Sequence, residues 1–253
     1  MLNAITRPVS RSIQDCELTH MSRTPICFET AQRQHDEYVA ALRSLGVTIH
    51  ELEPLHDCPD AVFVEDILFV VDELAVLTRP GAASRRSEVQ SVVDVINSHR
   101  PLECIEAPGT LEGGDVIQAD QRIFIGRSTR TNDAGIDQMR AFLEPLGYKV
   151  ISVDVPGALH LKTAATWIGK GTILANPAWI DMTPFESFDV IEVHPDEPFS
   201  GNAVRIGETL VYSSQSPLTA QRLEAKGFQL VCVDSTELAK AEGSLTCKSI
   251  VFS

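Results

Sequence analysis

Polar residues able to do covalent chemistry recur along this 253-residue chain at nearly even spacing. Asp66 to Asp115 is 49 residues, Glu112 to His160 is 48, His160 to Asn202 is 42 and Asn202 to Cys247 is 45. A thiol, an imidazole and a carboxylate are the parts of a nucleophilic site. Cys247 would attack, His160 would move protons, and Glu112 would hold the imidazole's tautomer and charge. Glu65, Asp66 and Asp115 add negative charge beyond what such a triad needs. Unpaired anions in apolar surroundings are costly, so the electrophile should itself be a cation. A thiolate is the apt nucleophile, since it forms near neutral pH when a cation lies beside it.

Residues so far apart in sequence meet only if repeated elements carry them to one place. Three glycines each follow a helical pattern and precede a short strand: Gly46, Gly147 and Gly227. Tyr38, Ala41, Leu42 and Leu45 fall at helical spacing before the first, and Met139, Phe142, Leu143 and Leu146 before the second, where Pro145 should disturb the last turn. The glycines suit the left-handed position that ends a helix. Ser216-Pro217 marks a third helix start, and Ser87 to His99 a fourth helix. A fifth helix before Asp189–Val193 has little room because of Pro184.

Ahead of each helix, two strands and a tight turn are expected. Ala61–Val70 should pair with Leu74–Thr78, Asp115–Gln118 with Ile123–Gly126, Lys162–Ile168 with Thr172–Ala175, and Ala203–Ile206 with Leu210–Tyr212. The last hairpin joins the two ends, Cys247–Phe252 with Ala4–Pro8. The expected fold is α/β: a five-bladed, pseudo-symmetric propeller of strand–strand–helix–strand modules, forming a single catalytic domain over residues 1–253. The starts of the inner strands would converge on the axis.

Hydrophobic residues make up 43% of the chain and charged residues 22%, which excludes disordered and fibrous classes. A net charge of −14 disfavours nucleic acid and anionic membranes as partners. There is no apolar run of membrane-spanning length and no signal-peptide pattern, so a cytoplasmic location is expected. The six cysteines are scattered, without metal-ligand spacing. Neither a disulfide framework nor a structural zinc is expected, and several thiols besides Cys247 should be core residues.

Six segments, in order along the chain, resemble the dimethylarginine dimethylaminohydrolases, a branch of the guanidino-group-modifying (pentein) propellers. They are Pro59–Asp66, Thr78–Arg86, Ala107–Asp115, Ile125–Asn132, Leu159–Thr163 and Leu245–Ser249. The resemblance implies Cys247 as nucleophile, His160 as general acid/base and Glu112 as its partner. It also implies Asp66 and Glu65 around the guanidinium, Arg85 and Arg130 on the substrate α-carboxylate, and Asp60 near the α-amino end. Phe63 would be a pocket wall and Leu18 part of a lid. The implied partner is a small cationic amino acid, with no cofactor or metal and with a homodimer possible.

The implied reaction hydrolyses N-omega-methylated arginine to citrulline and an alkylamine through a thiouronium on Cys247. Two readings compete with it: a deiminase releasing ammonia from arginine, and a non-catalytic propeller that binds guanidino ligands. A Cys247/His160 metal site would need further ligands that the sequence does not identify.

Overall fold

The computed structural model describes residues 1–253 and contains five separate three-stranded sheets. All five obey one rule: the first strand of a blade runs antiparallel to the second, and the second runs parallel to the third. Four blades are continuous in sequence. They are Leu68–Val70, Ala75–Leu77 and Leu102–Cys104; Val116–Ala119, Arg122–Arg127 and Lys149–Asp154; Ala165–Gly169, Thr172–Ala175 and Asp189–Glu192; and Val204–Ile206, Thr209–Ser213 and Gln229–Val233.

The fifth blade closes the ring. Its first strand, Ile250–Phe252, comes from the end of the chain and pairs with Asn3–Thr6 from the start, Ala4 lying opposite Val251. Thr48–Glu51 then adds in parallel. A ring joined this way leaves no blade lacking its first or second strand.

The helix ends behave as their sequences dictate. Gly46, Gly147 and Gly227 have φ of 82°, 92° and 81°, the left-handed conformation that glycine adopts without a side-chain clash. Pro145 ends the helix Asp133–Leu143 and leaves one tighter turn, Glu144–Leu146. Beside Pro184 only the short turn Thr183–Phe185 forms. Phe185 and Phe188 fill the space a helix would have covered, with ring centres 4.5 and 5.7 Å from Phe124.

Two expectations are corrected. The helix expected over Ser87–His99 is α-helical only from Val93 to Asn97. Ala83–Val92 winds as a 3-10 helix, in which residues i and i+3 eclipse, and the buried Arg85–Glu88 ion pair has that spacing. The strands expected over Ala61–Val70, Lys162–Ile168 and Cys247–Phe252 begin several residues later. Short turns precede them: Val64–Ile67, Leu161–Ala164 and Thr246–Lys248. The Ala61–Val64 run is buried on every side rather than alternating, so packing holds it and not a strand ladder.

Of the cysteines besides Cys247, only Cys16 is buried. Cys27, Cys104 and Cys232 are exposed and Cys58 is intermediate, against the expectation of several core thiols. No helix is long and apolar enough to cross a membrane.

Candidate active site

The turns that displace the expected strand starts are what build the site. Each lifts the chain into a tight bend at the axis. The bends carry Glu65 and Asp66, then Gly113–Asp115 just after Glu112, then His160 as the residue preceding its turn, then Cys247. Asn202, the residue of the fourth blade, catalyses nothing by its contacts. Its amide donates to the carbonyl of Lys162 and to Thr246 Oγ1, and its oxygen accepts from the Thr246 N–H at 3.0 Å. That clamp fixes the bend next to Cys247.

Cys247, His160, Glu112, Asp66, Arg85, Arg130, Asp60 and Phe63 line one cavity of ≈ 20 Å³. His160 Nε2 lies 2.7 Å from Glu112 Oε2. The other carboxylate oxygen of Glu112 accepts from the Ala82 N–H at 3.2 Å and lies 3.5 Å from Arg130 Nη1. Asp66 Oδ1 accepts from the Gly114 N–H at 3.1 Å and stands 4.0 Å from His160 Nδ1. Gly114 has no alternative here, since a Cβ at that position would sit 2.6 Å from His160 Nδ1. Asp115 faces inward but is saturated by the Leu161 N–H and the hydroxyls of Ser128 and Thr131, so it braces the His160 turn.

Arg85 is buried and heavily engaged. It donates to Asp66 Oδ2 at 2.5 Å, to both Glu88 oxygens, and to the carbonyls of Asp60 and Phe63. Only Nη1 has a hydrogen left for a ligand. Arg130 is less committed, with Nη2 on the Thr19 hydroxyl at 2.9 Å. Asp60 accepts from the Glu17 N–H at 3.0 Å.

One of the residues sought here lies elsewhere, and one sits over the cavity rather than in its lining. Glu65 turns away from the cavity and bonds Lys162 Nζ at 2.6 Å and the Thr246 hydroxyl at 2.7 Å. Leu18 is half-buried and packs on the cluster that contains Phe63 and Cys247. Lys248, next to the nucleophile, also points away. It is fully buried, 3.2 Å from Ser235 Oγ and 4.2 Å from the centre of the Tyr38 ring, and burial pulls it down to about 7. Glu17, Leu159, Ala241, Glu242 and Gly243 complete the wall. None of them belongs to a repeating position, so spacing could not single them out.

The protonation states follow from burial and neighbours. Burial favours the neutral His160 ring. The charge of Asp66, the bond to Glu112 and the charge of Asp115 outweigh it and lift the imidazole to about 9. Burial likewise opposes the Glu112 anion, but the His160 bond and the nearby positive charges hold that carboxyl at about 2. For Cys247, burial and the charges of Glu65 and Asp66 act together and push the thiol well above its usual range. Burial also raises Asp60, to about 6, with Arg85 opposing. At neutral pH the site is therefore an imidazolium between carboxylates, facing a protonated thiol. Carboxylate oxygens of Asp66 and Glu112 lie within 4.8 Å of one another and of a His160 ring nitrogen, which gathers the negative charge of the site in one place.

Fold and site together define a five-bladed α/β propeller with a thiol, an imidazole and carboxylates gathered in one cavity. A family model described as N,N dimethylarginine dimethylhydrolase, eukaryotic, matches residues 15–250. The N(G),N(G)-dimethylarginine dimethylaminohydrolase of Streptomyces coelicolor is 38% identical over 252 residues, covering 98% of this chain and 95% of that protein. The enzyme of the same name from Pseudomonas aeruginosa is 33% identical, covering 98% of each. A solved structure of the Pseudomonas aeruginosa protein, a cysteine-to-serine variant complexed with citrulline, superposes with a TM-score of 0.94 over 99% of this chain and 98% of that one. A dimethylarginine dimethylaminohydrolase with a histidine-to-glycine change, in an adduct with S-methyl-L-thiocitrulline, is 32% identical, with a TM-score of 0.94 over 99% of both chains. This chain belongs to the dimethylarginine dimethylaminohydrolase family.

Proposed function

We propose that the protein hydrolyses N-omega-methylated arginine to citrulline and an alkylamine through a covalent intermediate on Cys247. The observation that carries this reading is the shared cavity: thiol, Glu112-paired imidazole and the Asp66 carboxylate face one small space. The guanidinium enters between Asp66 and Glu112, and its α-carboxylate meets Arg130 and the remaining Nη1 hydrogen of Arg85. Asp60, near the mouth, faces the α-ammonium. Phe63 walls the aliphatic stem.

The thiol is held protonated by burial and by nearby anions, so the arriving cation is what releases its proton, which passes to solvent and ends on the departing alkylamine as an alkylammonium. The thiolate then adds to the planar carbon and forms the C–S bond. The C–N bond to the alkylamine breaks as the imidazolium of His160 gives that nitrogen a proton. A neutral His160 remains beside a thiouronium. It takes a proton from water as the water oxygen adds to the same carbon; the C–S bond then breaks, and the remaining hydroxyl proton leaves the forming citrulline carbonyl for the sulfur, which restores the thiol. Water supplies one oxygen and two hydrogens, and His160 ends as it began.

The test is mass spectrometry of enzyme acid-quenched during turnover, with parallel assays of alkylamine and ammonia release from methylated and unmodified arginine. A substrate-derived mass on the Cys247 peptide is expected, lost in Cys247→Ser along with turnover but not binding. Alkylamine should be the favoured leaving group. Near wild-type turnover in Cys247→Ser would end the covalent route, and faster ammonia release from arginine would make the protein a deiminase.

A further inference from the structure

The cavity has room for about one water, so a substrate of arginine's size enters only if the cover moves. The cover is the segment from Glu17 to Arg23, and its two ends are anchored differently from its middle. Cys16 and Ile26 are buried and pack in one cluster with Leu238 and Ala241. Between them, Thr19 to Pro25 is exposed throughout. The middle is held by one carboxylate: Glu242 accepts from the N–H groups of Thr19, His20 and Met21 at 3.0, 2.6 and 2.6 Å. Arg130 also ties the tip to the cavity wall through the Thr19 hydroxyl, while at the cover's base the Glu17 N–H donates to Asp60 at 3.0 Å and the Ser84 hydroxyl donates to the Glu17 carboxylate.

We propose that Glu242 is the latch of the active-site cover, a positioning residue that joins the cover's tip to the loop bearing the nucleophile. This rests on the reading of Cys247 and Arg130 given above. Three successive N–H groups converging on one anion form a concave nest, and charge-assisted bonds of this kind are the strong ones.

The backbone is set up to aim this side chain. Glu242 holds a left-handed φ of 58°, uncommon for a residue with a side chain. The next residue, Gly243, lies against Phe63, whose ring carbon would be 2.2 Å from any Cβ. Phe63 itself walls the catalytic cavity. Ser244 follows, and its N–H donates to the Cys247 sulfur at 3.4 Å. Glu242, Gly243, Ser244 and Cys247 belong to one loop, and through it the cover, the pocket wall and the nucleophile are joined by successive contacts. A substrate carboxylate that recruits Arg130 competes with Thr19 for it and leaves the tip on Glu242 alone.

The experiment compares Glu242→Gln, which keeps an acceptor oxygen and removes the charge, with Glu242→Gly, which removes the carboxylate and suits the left-handed backbone. Alkylation of Cys247 by iodoacetamide, followed on its own tryptic peptide, reads cover opening without any substrate. Native-state trypsin cleavage after Arg23 reads it a second way. Glu242→Gly should accelerate both by about tenfold, the equivalent of losing one charged hydrogen bond, with Glu242→Gln intermediate. With methylarginine, KM should rise more than kcat falls. Alkylation and cleavage rates within about twofold of the parent in both variants would overturn the latch. Because those two rates need no substrate, they stand even if methylarginine is not turned over.

Discussion

Glu65 and Asp66 are neighbours in one 3-10 turn, both buried, yet they serve opposite ends of the propeller axis. Asp66 faces the catalytic cavity, where Arg85, the Gly114 N–H and the nearby imidazole compensate its charge. Glu65 faces a second cavity of ≈ 260 Å³ that also includes Lys162, Gln118, Trp167 and Arg205, and there it is paired directly with Lys162. The difference lies in what is left over. On the Glu65 side each carboxylate oxygen has its own donor, the Lys162 ammonium and the Thr246 hydroxyl, so the pair is a structural brace. On the Asp66 side four carboxylates, Asp60, Asp66, Glu88 and Glu112, share three cations, Arg85, Arg130 and a protonated His160, in a site closed around a thiol. An anion-rich cavity beside an unreleased thiol is poised for a cation; the far cavity is not.

The sharpest way to break this contrast is to neutralise Glu112, which with Asp66 and Asp115 keeps His160 charged. Glu112→Gln should lower kcat by about 10²–10⁴-fold, the usual worth of a positioned general acid/base, with substrate binding reduced far less. It should also change how stability depends on pH. His160 is raised from its unfolded value of about 6.5 to about 9. Its contribution is therefore fully present below pH 6.5 and is lost as pH rises through about 9. Glu112 is depressed from 4.5 to about 2, so its share is present above pH 4.5 and is lost as pH falls through about 2. In Glu112→Gln, Tm measured from pH 6 to 10 should fall less steeply than in the parent. An unchanged slope would separate His160 from Glu112.

How much of this was readable beforehand depends on whether a residue sits at a repeating position. The five-fold repeat, the closure of Asn3–Thr6 on Ile250–Phe252 and the gathering of Glu112, His160 and Cys247 all follow from spacing, because equivalent places in a cyclic array must meet. Side-chain direction does not follow. In a strand, Glu65 and Asp66 would point to opposite faces by alternation. In the tight turn that replaces the strand they still diverge, but toward two ends of a channel, and only the turn reveals which end is which. Arg85 was legible as a cation near the site, while its commitment to Glu88 needed the 3-10 winding of Ala83–Val92. Glu242 was illegible for a further reason: its role depends on a left-handed backbone and on contacts more than 220 residues away in sequence.

On the far side the predicted effects are on stability before chemistry. Lys162→Met removes one partner of a largely buried pair and leaves Glu65 charged without its ammonium. A loss of about 3 kcal/mol is expected from urea unfolding. Any fall in kcat should be smaller than in Glu112→Gln, since it can reach Cys247 only through Glu65 and the Thr246 hydroxyl. A kcat loss as large as that of Glu112→Gln would place Lys162 in the catalytic machinery and erase the contrast between the two cavities.

The smallest effect belongs to the rim of that second cavity. Arg205 lies with its guanidinium carbon 4.8 Å from the centre of the Trp167 ring, and its only carboxylate neighbour, Glu208, is 3.9 Å away and mostly exposed. The ion pair is screened by solvent and contributes little. The cation–ring contact is partly shielded and is worth about 0.5–1 kcal/mol. Arg205→Ala should therefore cost no more than that in unfolding free energy and leave kcat and KM unchanged. It is the stricter test of the two-ended reading, because Arg205 and Glu65 line the same cavity. If the far cavity fed water or protons to the thiol, opening its rim would alter the kinetics even where stability hardly moved. If the cavity is only the enclosed underside of a brace, the stability change is all that should be seen.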